Sequence, residues 1–209
     1  TGDRAVEAIR GYSSEQPLFL KVSFARPHSP YDPPQRFVDM YEGKDIPAPV
    51  VGDWCNSMPI DTHPEKNPEA AIGNFGDEYA KNSRKYYYAA ITFIDEQIGR
   101  IINELKAKGM YDDALICFVS DHGDMLGDHH MWRKTYAYEG SSAIPFIVKL
   151  PCSIGTKLKP GEVIDAPVEL RDLFPTFLEA NGEKVPEEMD GLSLLPLLYN
   201  EKAPWRKYI

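Results

Sequence analysis

The stretch from residue 114 to residue 134 constrains this chain more than any other. It opens with Ala-Leu-Ile-Cys-Phe-Val over residues 114–119. An apolar run of that length, rich in strand-forming side chains, reads as a strand buried within an α/β sheet. Directly after it comes Ser-Asp-His-Gly-Asp-Met-Leu-Gly-Asp-His-His-Met-Trp-Arg-Lys over residues 120–134. Three of the five histidines, three aspartates and a lysine are thus delivered at the carboxyl end of one strand. Open α/β sheets place their ligand sites there.

The neighbouring segments supply the rest of an α/β pattern. Residues 3–11 form a short helix stopped by Gly11. Pro-Leu-Phe-Leu-Lys-Val-Ser-Phe over 17–24 is a strand, with Arg26, Pro27, His28, Ser29 and Pro30 as a rigid loop at its end. A short helix starts at Pro33 or Pro34 and runs to about Glu42. Residues 43–76, full of Pro, Gly and Asn, form an irregular excursion suited to a lid or a substrate-facing loop. The longest helix spans residues 77–108 and closes on Gly109. Its apolar stripe is Tyr87, Ile91, Ile94, Ile98, Ile101 and Leu105. A short helix at 136–142, a strand at 145–150, a helix at 168–181 capped by Gly182, and a turn or two at 192–199 follow. Alternation of strand and helix favours a mainly parallel sheet flanked by helices.

Composition excludes several classes of function. With 23 Lys+Arg against 32 Asp+Glu the net charge is −9, and no basic run occurs. Sequence-independent nucleic-acid binding needs the opposite balance. No window is apolar for long enough to span a bilayer. Cys55, Cys117 and Cys152 lie far apart without zinc-knuckle spacing, and Cys117 reads as a small core residue. The chain lacks the glycine-rich and nucleophile-elbow motifs of nucleotide-binding proteins and of serine hydrolases, and the two-histidine zinc-helix motif.

Asp121 and His122 are the best metal-ligand pair, since a carboxylate beside an imidazole can hold a divalent cation. Taken alone, the pair fits a turn cap and a histidine bonded to a buried carbonyl more readily than a metal site. Lys134 can reach an anion on such a cation, or be a surface lysine. Arg133 carries the same two readings. His129 and His130 are adjacent and point apart in an extended loop, so one can line a site while the other packs. Asp124 and Asp128 read as turn residues as readily as functional ones. His63 reads as solvent-exposed. His28, held between prolines, could bind an ester oxygen or protonate a leaving group.

Several blocks resemble one family in the right order. Pro17-Leu-Phe-Leu, with Ser23-Phe24-Ala25-Arg26-Pro27-His28-Ser29-Pro30-Tyr31, is similar to a sulfatase block. So are the Ser120–Gly123 and Leu126–His129 segments with Lys134, Tyr138-Glu139 and Ile144-Pro145-Phe146. Phe93 to Gly99, Val168 to Thr176 and Asp190 to Leu195 match further blocks. The resemblance implies a partial alkaline-phosphatase-like α/β sandwich, a single catalytic domain in part, cut at about 205–209 before a C-terminal subdomain. It implies that Asp121 and His122 ligate a divalent metal, calcium by family habit, and that His28 and Lys134 hold the sulfate of a sulfated small molecule or glycan. His130 and Arg133 would line the substrate site. The family's nucleophile, a formylglycine made from a Cys or Ser in a C/S-x-P/A-S-R block, has no counterpart here. It is expected in a missing N-terminal half, leaving this piece without turnover. Two alternatives stand beside this reading: a phosphonate or phosphate ester hydrolase of the same superfamily, and a non-catalytic binding domain that keeps the fold.

Overall fold

One helix organises the amino-terminal part of the chain. α3, Asp77–Ala107, runs for 31 residues, with Asp77 and Glu78 in its first turn. Acidic groups there complement the positive end of the helix dipole. It ends as the sequence predicts. Gly109 turns into the left-handed region, at φ 68°. Its N–H meets Lys106 O at 3.0 Å, and the Met110 N–H meets Leu105 O at 2.9 Å. That pair of bonds is a Schellman closure.

A computed structural model describes residues 1–57, 71–134, 136–199 and 204–209. The described chain divides into two units, Thr1–Asp112 with His122–Pro145 and Asp113–Asp121 with Phe146–Ile209. In the first unit α1, Gly2–Gly11, lays Ala5, Val6 and Ile9 inward, and it packs on α3. α2, Gln35–Asp39, follows Pro34 and buries Phe37 and Val38 against Ala89, with Tyr41, Tyr86 and Phe93 around them. It stops short of Glu42, which the sequence places inside it. The face of α3 also differs from the expected stripe. Ala80, Arg84, Ala89, Ala90 and Ile94 are buried, while Ile91 is 44% exposed. Ala89 occupies the face that α2 approaches, where a bulky side chain would hold the two helices apart. Arg10–Glu104, Arg36–Glu96 and Arg100–Asp3 join these helices at the surface. Exposed pairs of this kind set register more than they add stability.

In the second unit β1, Ile116–Val119, pairs with β2, Phe146–Lys149, in antiparallel register from Ile116↔Lys149 to Val119↔Phe146. Among the described residues this one ladder is antiparallel, within the α/β class that the sequence implies. Between the strands stand only a 3-10 turn and the one-turn helix α4, Glu139–Ser142, shorter than the expected 136–142. Parallel pairing calls for a crossover helix, and the described residues between these two strands form none. The expected strand at 17–24 is also not formed. It carries no ladder among the described residues, and Phe19 is 73% exposed. A strand exists only through a partner that takes its backbone groups.

The core of the second unit is Leu194, Leu195, Leu197 and Leu198, packed by Phe146, Val148, Leu150 and Trp205. α5, Leu173–Ala180, and α6, Leu195–Tyr199, supply its helical layer. Asp172 begins α5 fully buried. Its carboxylate accepts from Glu169 N at 2.9 Å, Leu192 N at 2.8 Å and Arg206 at 2.6 Å. These three hydrogen bonds, one from a guanidinium, offset the cost of burying the charge. Within residues 43–76 the structure describes a 3-10 turn, Asp53–Ser57, and an isolated bridge between Ile72 and Met131. His63 lies outside the described residues. Among the described residues no helix is long and apolar enough to cross a membrane.

Candidate active site

The loop that follows β1 is held in an unusual backbone. Leu126, His129, His130 and Arg133 all have positive φ, from 46° to 68°. Each such non-glycine residue costs about 1–3 kcal/mol and persists only where its surroundings over-determine it. Those surroundings are two carboxylates. Asp124 Oδ1 accepts from Leu126 N at 3.0 Å and Arg133 N at 2.9 Å, while Oδ2 accepts from the Tyr31 hydroxyl at 2.9 Å. Asp128 accepts from Val50 N at 2.8 Å and from the guanidinium of Arg84. Arg84 projects from α3 into the interior, and its Nε donates to Leu126 O at 3.0 Å. Met125, Leu126, Met131 and Trp132 are buried beneath these bonds. Asp124 and Asp128 therefore shape the loop, the second of the two readings that sequence alone leaves open.

Gly123 has no room for a side chain. A Cβ there would lie 2.3 Å from the carbonyl oxygen of Gly140. Its N–H donates to Ser141 O at 2.8 Å, which ties the start of the loop to α4.

On this frame three of the candidate residues converge within the first unit. Lys134 Nζ lies 2.8 Å from His28 Nε2, although the two are 106 residues apart. The His28 and His122 rings are 6.0 Å apart, edge to face at 69°. Each imidazole gives its Nδ1–H to a backbone carbonyl. His28 donates to Ser29 O at 2.8 Å and His122 to Gly123 O at 2.7 Å. A carbonyl can only accept, so both rings carry a hydrogen on Nδ1, and the Nε2 of His28 accepts from the lysine ammonium. A carbonyl bond of this type at Nδ1 sets which imidazole nitrogen presents its lone pair. Arg26, two residues before His28, is braced by a bidentate pair with Asp32.

The other candidates are placed differently. His129 accepts a hydrogen bond on Nδ1 from Gly52 N at 3.1 Å and packs against Trp54 and Tyr138. His130 lines a small cavity of about 40 Å³ with Gly73, Asn74 and Trp132. Arg133 is half-buried, and its positive charge bears on Tyr31. Burial pushes the Tyr31 hydroxyl well above the ordinary tyrosine range, and the charge and hydrogen bond of Asp124 add to the rise. Tyr31 thus stays protonated and keeps donating. It was visible in the sequence, directly after Pro30, but only as a motif letter. Arg84 gave no signal at all, because an arginine on a long amphipathic helix reads as solvated.

Asp121 is exposed and precedes His122 directly. A carboxylate and an imidazole fixed by its Nδ1 bond suit a divalent ion as two of its ligands. They do not complete a shell, since zinc takes four ligands and calcium six to eight. Among the described residues no group of three or more His, Cys, Asp or Glu could hold a metal ion.

The sulfatase family model matches residues 1–183. The chain is 40% identical over 207 residues to an arylsulfatase of Clostridium perfringens, covering 99% of this chain and 43% of that protein. It is 35% identical over 192 residues to a choline-sulfatase of Rhizobium meliloti, covering 88% of this chain and 36% of that one. Among solved structures, a phosphonate monoester hydrolase of Silicibacter pomeroyi superposes with a TM-score of 0.73 at 33% identity, over 88% of this chain and 38% of that chain. A second, from Agrobacterium radiobacter, gives 0.80 at 29% identity over 98% of this chain and 42% of that chain. The chain thus spans about two fifths of the length of these relatives.

Proposed function

The chain belongs to the sulfatase family, and on that premise we propose that the whole protein hydrolyses the sulfate ester of a small molecule or glycan, with these residues forming part of its one catalytic domain. The observation that carries the reading is the His28–Lys134 pair, 2.8 Å apart on loops from distant parts of the chain. A compact ammonium is suited to the oxygens of a tetrahedral anion. In the absence of an anion its hydrogen goes to His28 Nε2. With a sulfate in place, Lys134 neutralises charge on the non-bridging oxygens, where it builds up as the ester breaks. Once Nε2 has itself taken up a proton, with Nδ1–H still on Ser29 O, His28 would hand that proton to the departing ester oxygen and return to the neutral ring.

Asp121 and His122 would contribute two ligands to a divalent ion, calcium by family habit. When bound, such an ion supplies Lewis-acid polarisation of a sulfate oxygen. The attacking group we assign to a formylglycine outside these residues. None of Cys55, Cys117 and Cys152 stands in a C-x-P-S-R block. His130 and Arg133 remain candidate substrate contacts further from the pair.

Steady-state kinetics on the full-length enzyme test the assignment. Lys134→Met should lower kcat/KM for a sulfate ester by about 10²–10³. His28→Ala should cost about 10²–10⁴ for a sugar sulfate and much less for 4-nitrophenyl sulfate, whose leaving group needs no proton. Equal losses on the two esters would remove the acid role from His28. The likeness to two phosphonate monoester hydrolases supports a second reading, a phosphonate ester as substrate. Relative kcat/KM for sulfate and phosphonate esters of the same alcohol separates the two.

A further inference from the structure

Trp54 and Tyr138 are large aromatic residues left 44% and 38% exposed. Their rings are parallel to within 9°, with centroids 6.2 Å apart. The imidazole of His129 sits 5.2 Å from one and 5.0 Å from the other. Nothing in the sulfate chemistry above uses this cluster.

Its position is held from several directions. The indole of Trp54 lies directly on Gly52, where a Cβ would come within 2.5 Å of Nε1. Gly52 N donates to His129 Nδ1 at 3.1 Å, and His129 N donates to Val50 O at 2.7 Å. Asp128, the next residue back, accepts from Val50 N at 2.8 Å. The excursion that carries Trp54 is therefore fastened to the same loop that ends in Lys134. Tyr138 stands at the N-cap of α4, the helix that takes the N–H of Gly123 through Ser141 O. It also follows Lys134 by four residues, so their Cα atoms are at most about 14 Å apart. That span is covered by a lysine side chain, a sulfate and one six-membered ring.

We propose that Trp54 and Tyr138, steadied by His129, form a stacking platform for the ring that carries the sulfate, and so determine that the enzyme prefers ring-borne over acyclic sulfate esters. The proposal rests on the sulfate reading of His28 and Lys134. Parallel aromatic faces bind the flat π-face of an aryl group or the apolar C–H face of a pyranose. They offer nothing comparable to a short flexible alkyl chain. Rigid side chains with two torsions also lose little entropy on binding. The shared chemistry is a ring face, and the aryl and sugar sources are told apart by the test.

The test uses the full-length enzyme with 4-nitrophenyl sulfate, a hexosamine 6-sulfate and ethyl sulfate. Trp54→Ala should raise KM about tenfold for one or both ring esters, with kcat within about twofold and ethyl sulfate unaffected. A larger effect on one ring ester identifies the source. Trp54→Phe should restore most of the loss, since a ring remains. A structural role alone would change all three esters alike, and that result, or no change in any, overturns the platform. If the wild type turns over none of the three, the sulfate reading fails. The platform is then judged by equilibrium titration, where Trp54→Ala must weaken phenyl sulfate and leave ethyl sulfate unchanged, or be abandoned.

Discussion

Individual side chains in this protein divide by what they bond. Asp121 and His122 stood out in the sequence as a carboxylate and an imidazole directly after an apolar run, and that run forms β1 with Phe118 exposed. Asp124 and Asp128 carry the same chemistry on paper, yet they spend it on backbone N–H groups. No spacing rule separates a ligating aspartate from one that builds a turn, because the distinction lies in partners far along the chain. His28 was legible through its flanking prolines, whereas its bond to Lys134 spans 106 residues and has no local trace. The thiols give a residue-level prediction. Cys152 is exposed, Cys55 is buried, and burial pushes the Cys117 thiol up to about 11. Because the thiolate is the reactive form, labelling by a disulfide-exchange reagent at pH 8 should modify Cys152 first and Cys117 slowly. The folded state favours the protonated Cys117, so its contribution to stability is present below the ordinary thiol range and is lost as the pH rises towards 11. Fast labelling of Cys117 at pH 8 would contradict that burial.

At the scale of elements, local signals worked where an element stabilises itself. α3 was readable from end to end through its 3.6-residue period and Gly109. The stretch at 17–24 was not, since composition announces a strand without providing its partner. α4 came out shorter than expected because its role is to hold Gly123 rather than to present an apolar face. The loop of residues 123–134 depends on α3 through one buried cation. Arg84→Met would leave Asp128 without its counter-charge and Leu126 O without a donor. The expected destabilisation is about 2–3 kcal/mol, read from the urea midpoint. Catalysis should fall with it, as four positive-φ residues relax. A shift under about 0.5 kcal/mol would mean that the loop holds its shape without α3.

For the whole molecule, the α/β class and the family were legible because several blocks recur in order along nearly the whole chain. Strand direction was not. Parallel or antiparallel pairing is decided by which strands are available, and the relatives extend well beyond these 209 residues. The proposed function depends on His28 and Lys134 binding one anion together. The most direct measurement is the position of the anion in a crystal of the full-length protein grown with a non-hydrolysed sulfate ester analogue. The account predicts that Lys134 Nζ and His28 Nε2 each lie about 3 Å from an oxygen of the sulfate group, their mutual bond broken. A sulfate group bound elsewhere, with the two nitrogens still 2.8 Å apart, would contradict it.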